Sequence, residues 1–321
     1  MENIFSYAFH MLVFPGGVFA LCLGLLLKGI DRKALARLQR RVGPPIAQPF
    51  FDIVKLGRKE TILPATGHTL MFRFAPILGF MGMMVAAMVM PVPGVWNGAE
   101  GLGDMLMMLY LLPMPALALM LAGSSSSSPY GAIGGSREMI LMFAYEIPLL
   151  VVLLTVAFKV GLATGGVAEF SFAKIVDYQL QNGSFLFDWT MFPAFVAFLL
   201  FIPGTLGTVP FDLAEAETEV LEGPLLEYSG PSLAMFQLGG ALKLVVVMAL
   251  GVVLFFPGTI AGGWIVNLVW FAVKCMLLML FSVTLVRASM GRLRTDQTFK
   301  FYLKYPATLA YVSLGLTYFI R

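Results

Sequence analysis

Long apolar runs recur along the whole chain and are separated by short polar connections. A membrane-spanning helix needs roughly 20 predominantly apolar residues. Prolines inside the third and eighth runs are compatible with spanning helices when neighbouring helices satisfy the freed carbonyls. The pattern predicts one all-α polytopic membrane domain over residues 1–321 with eight spans: 5–27, 74–92, 106–122, 139–160, 191–209, 233–256, 264–286 and 301–320.

Composition supports an integral membrane protein. Hydrophobic residues make up 59% of the chain and charged residues 12%, whereas soluble domains carry about 25% charged residues. The two cysteines and two histidines each stand apart from other ligand-type residues. We therefore expect no metal or other cofactor in this chain.

Basic residues are concentrated in alternate connections. The first connection and the one before the last span carry most of them, which places the odd-numbered connections in the cytoplasm by the positive-inside rule. The chain is then a multi-pass protein of the cell membrane, with both termini outside the cytoplasm. The basic residues of these two connections include Arg32, Lys33, Arg37, Arg40, Arg41, Arg292 and Arg294.

The first connection also contains an amphipathic segment at 50–56. Phe51 and Val54 lie on one side of a predicted helix, while Asp52 and Lys55 face polar surroundings. This cytoplasmic amphipathic helix is compatible with two roles. It can anchor to anionic lipid headgroups, or it can help to dock a cytoplasmic partner.

An acidic cytoplasmic loop, which we call the acidic segment, is predicted between the fifth and sixth spans, at residues 207–230. Pro210 is suited to open a helix and Gly223 to close one, so we predict a short surface helix between them. Its acids have no basic neighbour within the segment, although a solvated acidic loop is the ordinary alternative. They are Asp212, Glu215, Glu217, Glu219, Glu222 and Glu227.

Among the charged residues within or at the edge of predicted spans, four are candidates for function. A carboxylate in a span is costly unless it is paired, protonated or wet, so such residues usually mark an ion path. Glu138 lies at the membrane edge, where it can pair with Arg137, and Glu146 lies about 12 Å further along the same helix. Lys243 and Lys274 are candidate counter-ions to Glu146 or to the acidic segment, or members of plain structural ion pairs.

Several of these stretches together resemble one family of membrane proteins. Arg32-Lys33, Ala36 through Pro44, Gln48-Pro49, Asp52 and Lys55-Leu56 resemble the first connection of the quinone-site membrane subunit of respiratory NADH:quinone oxidoreductase. The similarity continues through Arg137 to Ile147, Pro210 to Ser229 and Arg292 to Gln297. A shorter first connection, with Pro45-Ile46-Ala47 running directly into Gln48, is more similar to the energy-converting nickel–iron hydrogenases, including formate hydrogenlyases.

This resemblance implies an anchoring and coupling subunit. Soluble partners would carry the iron–sulfur clusters and the nickel–iron centre and would dock on the cytoplasmic face, while antiporter-like and small membrane subunits and lipid would surround the spans. We expect no nucleic-acid partner. The implied docking residues are Arg32, Lys33, Arg37, Arg40, Arg41, Arg137, Arg292, Arg294 and Asp296. The implied proton or sodium path comprises Asp212, Glu215, Glu217, Glu219, Glu222, Glu227, Glu146, Glu138, Asp52, Lys243 and Lys274.

Three alternatives stay open at this point. The chain can belong to a quinone-reducing complex, with the quinone between the first connection, the first span and the last cytoplasmic connection. It can belong to a sulfane-sulfur reductase of related architecture. It can also be an autonomous ion transporter, although it lacks the inverted repeat that many carriers show.

Overall fold

The computed structural model describes residues 9–65, 67–98 and 104–320. These residues are almost entirely helical, and their β structure is limited to two isolated bridges. The expectation of an all-α fold is confirmed. The α-helices are α1 (Gly17–Leu38), α2 (Gln48–Gly57), α3 (Thr69–Val89), α4 (Met105–Leu111), α5 (Met114–Ser125), α6 (Pro129–Ala163), α7 (Phe172–Asn182), α8 (Phe192–Thr205), α9 (Glu217–Val220), α10 (Gly230–Phe255), α11 (Trp264–Met279), α12 (Leu285–Ser289), α13 (Thr295–Lys304) and α14 (Pro306–Phe319).

Among the described residues, six helical segments are long and apolar enough to cross a membrane. Two further apolar helices, α8 and α14, have 14 residues each. They coincide with the fifth and eighth predicted spans, so a count of eight spans stays a prediction. The six long segments are Phe9–Leu38, Thr69–Val89, Met105–Ser125, Pro129–Ala163, Gly230–Phe255 and Trp264–Ser289.

Several boundaries differ from the predicted ones. The first helix continues 11 residues past the predicted end at 27, and residues 5–8 of that span lie outside the described part. The third span is divided at Pro113, whose ring and missing N–H disfavour an uninterrupted helix. The last predicted span is divided at Pro306, which starts α14. Helix α6, which contains the fourth predicted span, begins at Pro129, ten residues before the predicted start of that span, and has 35 residues.

Helix α10 lies at the centre of the bundle. It packs against α1, α3 and α11, and most of its residues are buried. The contact with α1 is close because Gly24 has no side chain: a Cβ there would lie 2.3 Å from the carbonyl oxygen of Ala241. A charged side chain on α10 is therefore held inside the protein rather than in lipid.

The odd-numbered connections lie together at one end of the bundle. The amide of Ile62, in the first connection, donates to Ser229 Oγ at 3.1 Å, at the end of the acidic segment. The amide of Leu293, in the seventh, donates to the carbonyl oxygen of Pro210 at 3.1 Å. The predicted cytoplasmic connections thus form one continuous surface, which we call the odd face.

The even-numbered connections meet at the opposite end. The amide of Met105 donates to the carbonyl oxygen of Phe170 at 3.0 Å. On the amphipathic helix α7, the Gln179 side chain donates to the carbonyl oxygen of Val253 at 3.0 Å, near the end of α10. This alternation agrees with the order of the predicted connections, and the cytoplasmic placement of the odd face stays a prediction.

Candidate ion-coupling site

A cavity of about 390 Å³ opens beneath the acidic segment, between α1, α6, α10 and α12. Its walls carry four carboxylates and four basic side chains, so the formal charges balance. Apolar residues such as Leu119 and Phe236 complete the lining. The charged residues are Asp31, Glu138, Asp212, Glu215, Lys28, Arg32, Lys243 and Arg287.

Glu138 and Lys243 form the buried floor of this cavity. Each has a relative exposure of 6%, and they lie on the neighbouring walls formed by α6 and α10. Within the described residues, the two side chains do not approach to within the 4.0 Å of a direct ion pair. The Lys243 ammonium lies 5.9 Å from the ring centre of Tyr145. An acid and a base that are buried together but not in contact are suited to exchange protons through an intervening group.

The acidic segment is mostly irregular, and the prediction of a short surface helix between Pro210 and Gly223 is wrong. Helix is limited to the single turn of α9 and a 3-10 turn at Gly223–Leu225, and Leu221 and Glu222 adopt left-handed conformations. Leu213 is buried with its neighbours, while Asp212 and Glu215 line the cavity. The segment is thus a lid packed on the bundle rather than a helix lying on the membrane.

Gly134 explains how the lid sits so close to α6. A Cβ at this position would lie 2.5 Å from Cδ of Pro224 and 2.9 Å from the carbonyl oxygen of Ala214. Gly223, at φ +51°, turns the chain at the same contact. The glycines at the beginning of α6 therefore permit the helix to extend beneath the lid, which accounts for its early start.

Two lid carboxyls, Asp212 and Glu215, have raised pKa values. Burial, followed by the charges of Glu138 and Asp212, raises the pKa of Glu215 to about 7, against the opposing effect of Lys28 and Lys243. Burial also raises the pKa of Asp212, although its ion pair with Arg292 acts in the opposite direction. Glu215 therefore changes its protonation near neutral pH, as a group that accepts and releases protons must.

A buried Asp31 connects the first helix to the seventh span. Its carboxylate accepts a hydrogen bond from Thr284 Oγ1 at 2.7 Å and pairs with Arg287 at 3.3 Å. Thr284 ends a π-helical turn at Leu280–Thr284, a distortion frequent at functional sites. Sequence reasoning did not single out Lys28, Asp31 or Arg287 as path residues. The sequence did contain a signal for them, because Lys28 and Asp31 lie three residues apart directly after the first apolar run.

The remaining predicted path residues lie outside the cavity lining. Glu146 is half-buried, two turns deeper on α6, where the charge of Lys243 acts on it. Glu219 is exposed and pairs with Arg137 at 2.5 Å, so Arg137 reaches the lid rather than Glu138. Asp52, on α2, pairs with Arg32 at 3.1 Å. The other acids, Glu217, Glu222 and Glu227, are exposed on the lid.

Lys274 is far from this group, and the expectation that it is a counter-ion to Glu146 or to the acidic segment is wrong. Its ammonium donates to the carbonyl oxygens of Phe256 at 2.7 Å and Gly258 at 2.5 Å, just after the C-terminal end of α10, which is opposite the odd face. The sequence placed Lys243 and Lys274 in equivalent positions. Only Lys243 lies on the wall that faces the buried acids.

The predicted docking residues occupy the odd face. Arg292 donates to Asp212 and to Thr218 at 2.8 Å each, so it also fastens the lid. No described acidic side chain lies within 4.0 Å of Arg37 or Arg294. The rest of the group are Lys33, which is partly exposed, and Arg40, Arg41 and Asp296, which are exposed.

No group of three or more His, Cys, Asp or Glu side chains suited to a metal ion occurs in the part of the chain described here.

Comparison with known proteins places this architecture in a family. The family model described as NADH dehydrogenase matches residues 11–318. NADH-ubiquinone oxidoreductase chain 1 of Chondrus crispus is 33% identical over 302 residues, covering 88% of both chains. A subunit of the NADH-quinone oxidoreductase of Rhodospirillum rubrum is 30% identical over 298 residues, covering 88% of this chain and 86% of its own.

Two further similarities come from related complexes. Formate hydrogenlyase subunit 4 of Escherichia coli is 36% identical over 287 residues, covering 85% of this chain and 87% of its own. A chain in the solved structure of the membrane-bound sulfane sulfur reductase, an archaeal respiratory membrane complex, superimposes with a TM-score of 0.85 at 29% identity, covering 97% of this chain and 99% of that one. On the extent of these matches, the chain belongs to the NADH dehydrogenase family of membrane subunits.

Proposed function

We propose that this chain is the membrane component that holds the soluble redox arm of a complex I-like enzyme and couples electron transfer to ion translocation. The observation that carries the proposal is the cavity beneath the lid, whose walls bring together four carboxylates and four bases. The relatives named above are membrane subunits of multi-subunit oxidoreductases, which supports a subunit role over that of an autonomous transporter.

The coupling mechanism follows from the position of Glu215. Because its pKa is raised to about 7, the carboxyl is close to half-protonated at neutral pH. Closely spaced carboxyls share protons, so a change in local field shifts the distribution among them. In this proposal, Glu215 and Asp212 take up a proton when the local field at the odd face changes, and a redox partner docked there would supply that change. The proton then passes to Glu138 and Lys243, and Glu146 continues the path.

The partner arm docks on the exposed basic residues of the first and seventh connections. Arg37 and Arg294 are exposed there, and Arg294 lies two residues from Arg292, which binds the lid residue Asp212. In this proposal, contact with the soluble arm reaches the cavity through the lid. The iron–sulfur clusters and the nickel–iron centre belong to that arm, and this chain supplies no ligand to them. Antiporter-like and small membrane subunits complete the complex.

The hydrogenase branch is our first choice for the whole complex. Its support is the short first connection and the 36% identity to formate hydrogenlyase subunit 4, against 33% and 30% for the two NADH-linked relatives. The similarity to the sulfane sulfur reductase structure is the observation that favours a second candidate. The two branches differ in the terminal acceptor, which the soluble arm reduces.

Purification of the complex through a tag on this chain tests the assignment. We expect co-purification of iron–sulfur subunits and of a large subunit with a nickel centre, together with hydrogen evolution. Recovery of polysulfide reduction or quinone reduction without hydrogen evolution would move the chain to one of the other branches. Electrogenic ion flux in liposomes that contain only this chain would instead support an autonomous transporter.

A further inference from the structure

A second cavity, of about 660 Å³, lies at the opposite end of the bundle from the coupling site. It forms a groove between α8, the end of α10 and the outer side of α11. Apolar side chains make up most of its wall, including Leu199, Trp270 and Leu277. Leu277 and Phe281 are exposed at 44% and 64%, so the groove opens towards the membrane rather than into the protein.

One positive charge lies at the wall of this groove. The Lys274 ammonium donates to the carbonyl oxygens of Phe256 and Gly258 and lies 5.6 Å from the ring centre of Trp270. An ammonium has three donors, so one remains for another acceptor. No carboxylate within the described residues lies within 4.0 Å of it.

The two hydrogen bonds to carbonyl oxygens explain part of the position of the Lys274 ammonium. They cap the end of α10, where the helix dipole favours a positive charge. They do not neutralise the ammonium, and an unneutralised charge beside a membrane-facing apolar surface is costly. The paired lysine on the same end of the bundle shows the contrast: Lys159 lies 2.9 Å from Asp188. Lys274 therefore lacks an anion that Lys159 has.

The shape of the groove fits an acyl chain. From Trp270 to Phe281 the helical rise corresponds to about 16 Å. The apolar wall would cover a hydrocarbon chain along this length, with the ammonium close to the end of α10. Charge and shape together match one molecule with an anionic head and a long apolar tail.

We propose that this groove binds one anionic phospholipid, with its phosphate at the third donor of Lys274 and an acyl chain along α11. An apolar helix of a partner subunit would fill the groove but would bring no anion to Lys274. The lipid satisfies both features, which is why it is the occupant we assign.

Native mass spectrometry of the purified complex tests the proposal, with phosphatidylglycerol and phosphatidylcholine of the same acyl length as probes. We expect wild type to retain phosphatidylglycerol and not phosphatidylcholine. Lys274→Gln should lower phosphatidylglycerol affinity by about fivefold, the effect expected for one basic residue at an anionic lipid surface. Lys274→Arg should keep the binding, and Lys159→Gln is the matched control that leaves it unchanged.

The tail is tested separately, so that loss of the α10 cap cannot account for the result. Leu277→Trp fills the groove and should abolish retention while leaving Lys274 in place. Val269→Trp, exposed on the same helix and away from the groove, should have no effect. Equal retention of both lipids, unchanged retention in Lys274→Gln or Leu277→Trp, or no retained lipid in wild type would each overturn the proposal. A disulfide crosslink from Leu277→Cys to a partner subunit would do the same.

Discussion

Protonation of Glu215 near neutral pH is the property on which the coupling proposal depends most. The difference between its ordinary pKa of 4.5 and about 7 corresponds to roughly 3 kcal/mol at full ionisation, an upper value because the side chain faces a cavity. The folded-state pKa is raised, so the folded protein holds the proton more tightly than the unfolded chain. The free energy of unfolding that is lost through ionisation of Glu215 therefore grows from about pH 4.5 to about pH 7 and is constant above about pH 7.

Substitution of Glu215 by Gln removes this cost while keeping the size of the side chain. Relative to Glu215→Gln, wild type should lose roughly 2.5 kcal/mol of stability between pH 5 and pH 8. Denaturation midpoints in detergent across this range measure the difference. Infrared difference spectra between pH 6 and pH 8 should show a protonated carboxyl band in wild type that Glu215→Gln lacks. Glu222→Gln, at an exposed lid position, is the control.

The reasoning about Glu215 fails if its carboxyl is already fully ionised at pH 6, or if the infrared band persists in Glu215→Gln. The first result would mean that water in the cavity compensates for burial and that Glu215 is an ordinary surface acid. The second would mean that another carboxyl, such as Asp212, holds the proton. The lid would then be a structural cover, and proton exchange would have to begin at another group.

Three further predictions concern the lid and the odd face. Gly134→Val should displace the lid and destabilise the chain by about 1–3 kcal/mol, because its Cβ would lie 2.5 Å from Pro224; faster proteolysis within the acidic segment measures this. Tyr228→Phe removes a hydrogen bond of 3.0 Å to the carbonyl oxygen of Phe72 and should cost about 1 kcal/mol in detergent unfolding; an unchanged midpoint would exclude that bond as a lid contact. Arg37→Glu combined with Arg294→Glu should reduce co-purification of the soluble arm. The unfolding midpoint of the chain should stay nearly unchanged, because exposed charges contribute little to folding. Full assembly of the complex would contradict the docking role.

The length of the apolar runs identified the helical segments well, because a membrane requires roughly 20 apolar residues per span. The run that gives α10 was predicted at 233–256 and is observed at Gly230–Phe255. Predicted helix boundaries were wrong where a contact with a distant segment determines where the helix begins or ends. Helix α6 starts before its charged residues because Gly134 accommodates Pro224, a contact between residues 90 positions apart.

The acidic segment shows why local rules were insufficient for the site. Pro210 and Gly223 are compatible with a helix between them, yet buried packing of Leu213 and the left-handed Glu222 produce a lid. The pairing of Arg137 with Glu219 is likewise tertiary. Sequence alone named Glu138, Asp212, Glu215 and Lys243 as candidates, but it could not show that they line one cavity.

Ion translocation per electron by the reconstituted complex tests the central claim most directly. Glu138→Gln preserves the size of a buried cavity residue and removes its titratable proton. We predict that this variant assembles normally but loses ion uptake into liposomes, with slowed or uncoupled electron transfer. Glu169→Gln, at an acid paired with Lys174 at the opposite end of the bundle, is the control and should translocate as wild type does. If Glu138→Gln and the control translocate the same number of ions per electron as wild type, the cavity acids do not carry the coupled ion.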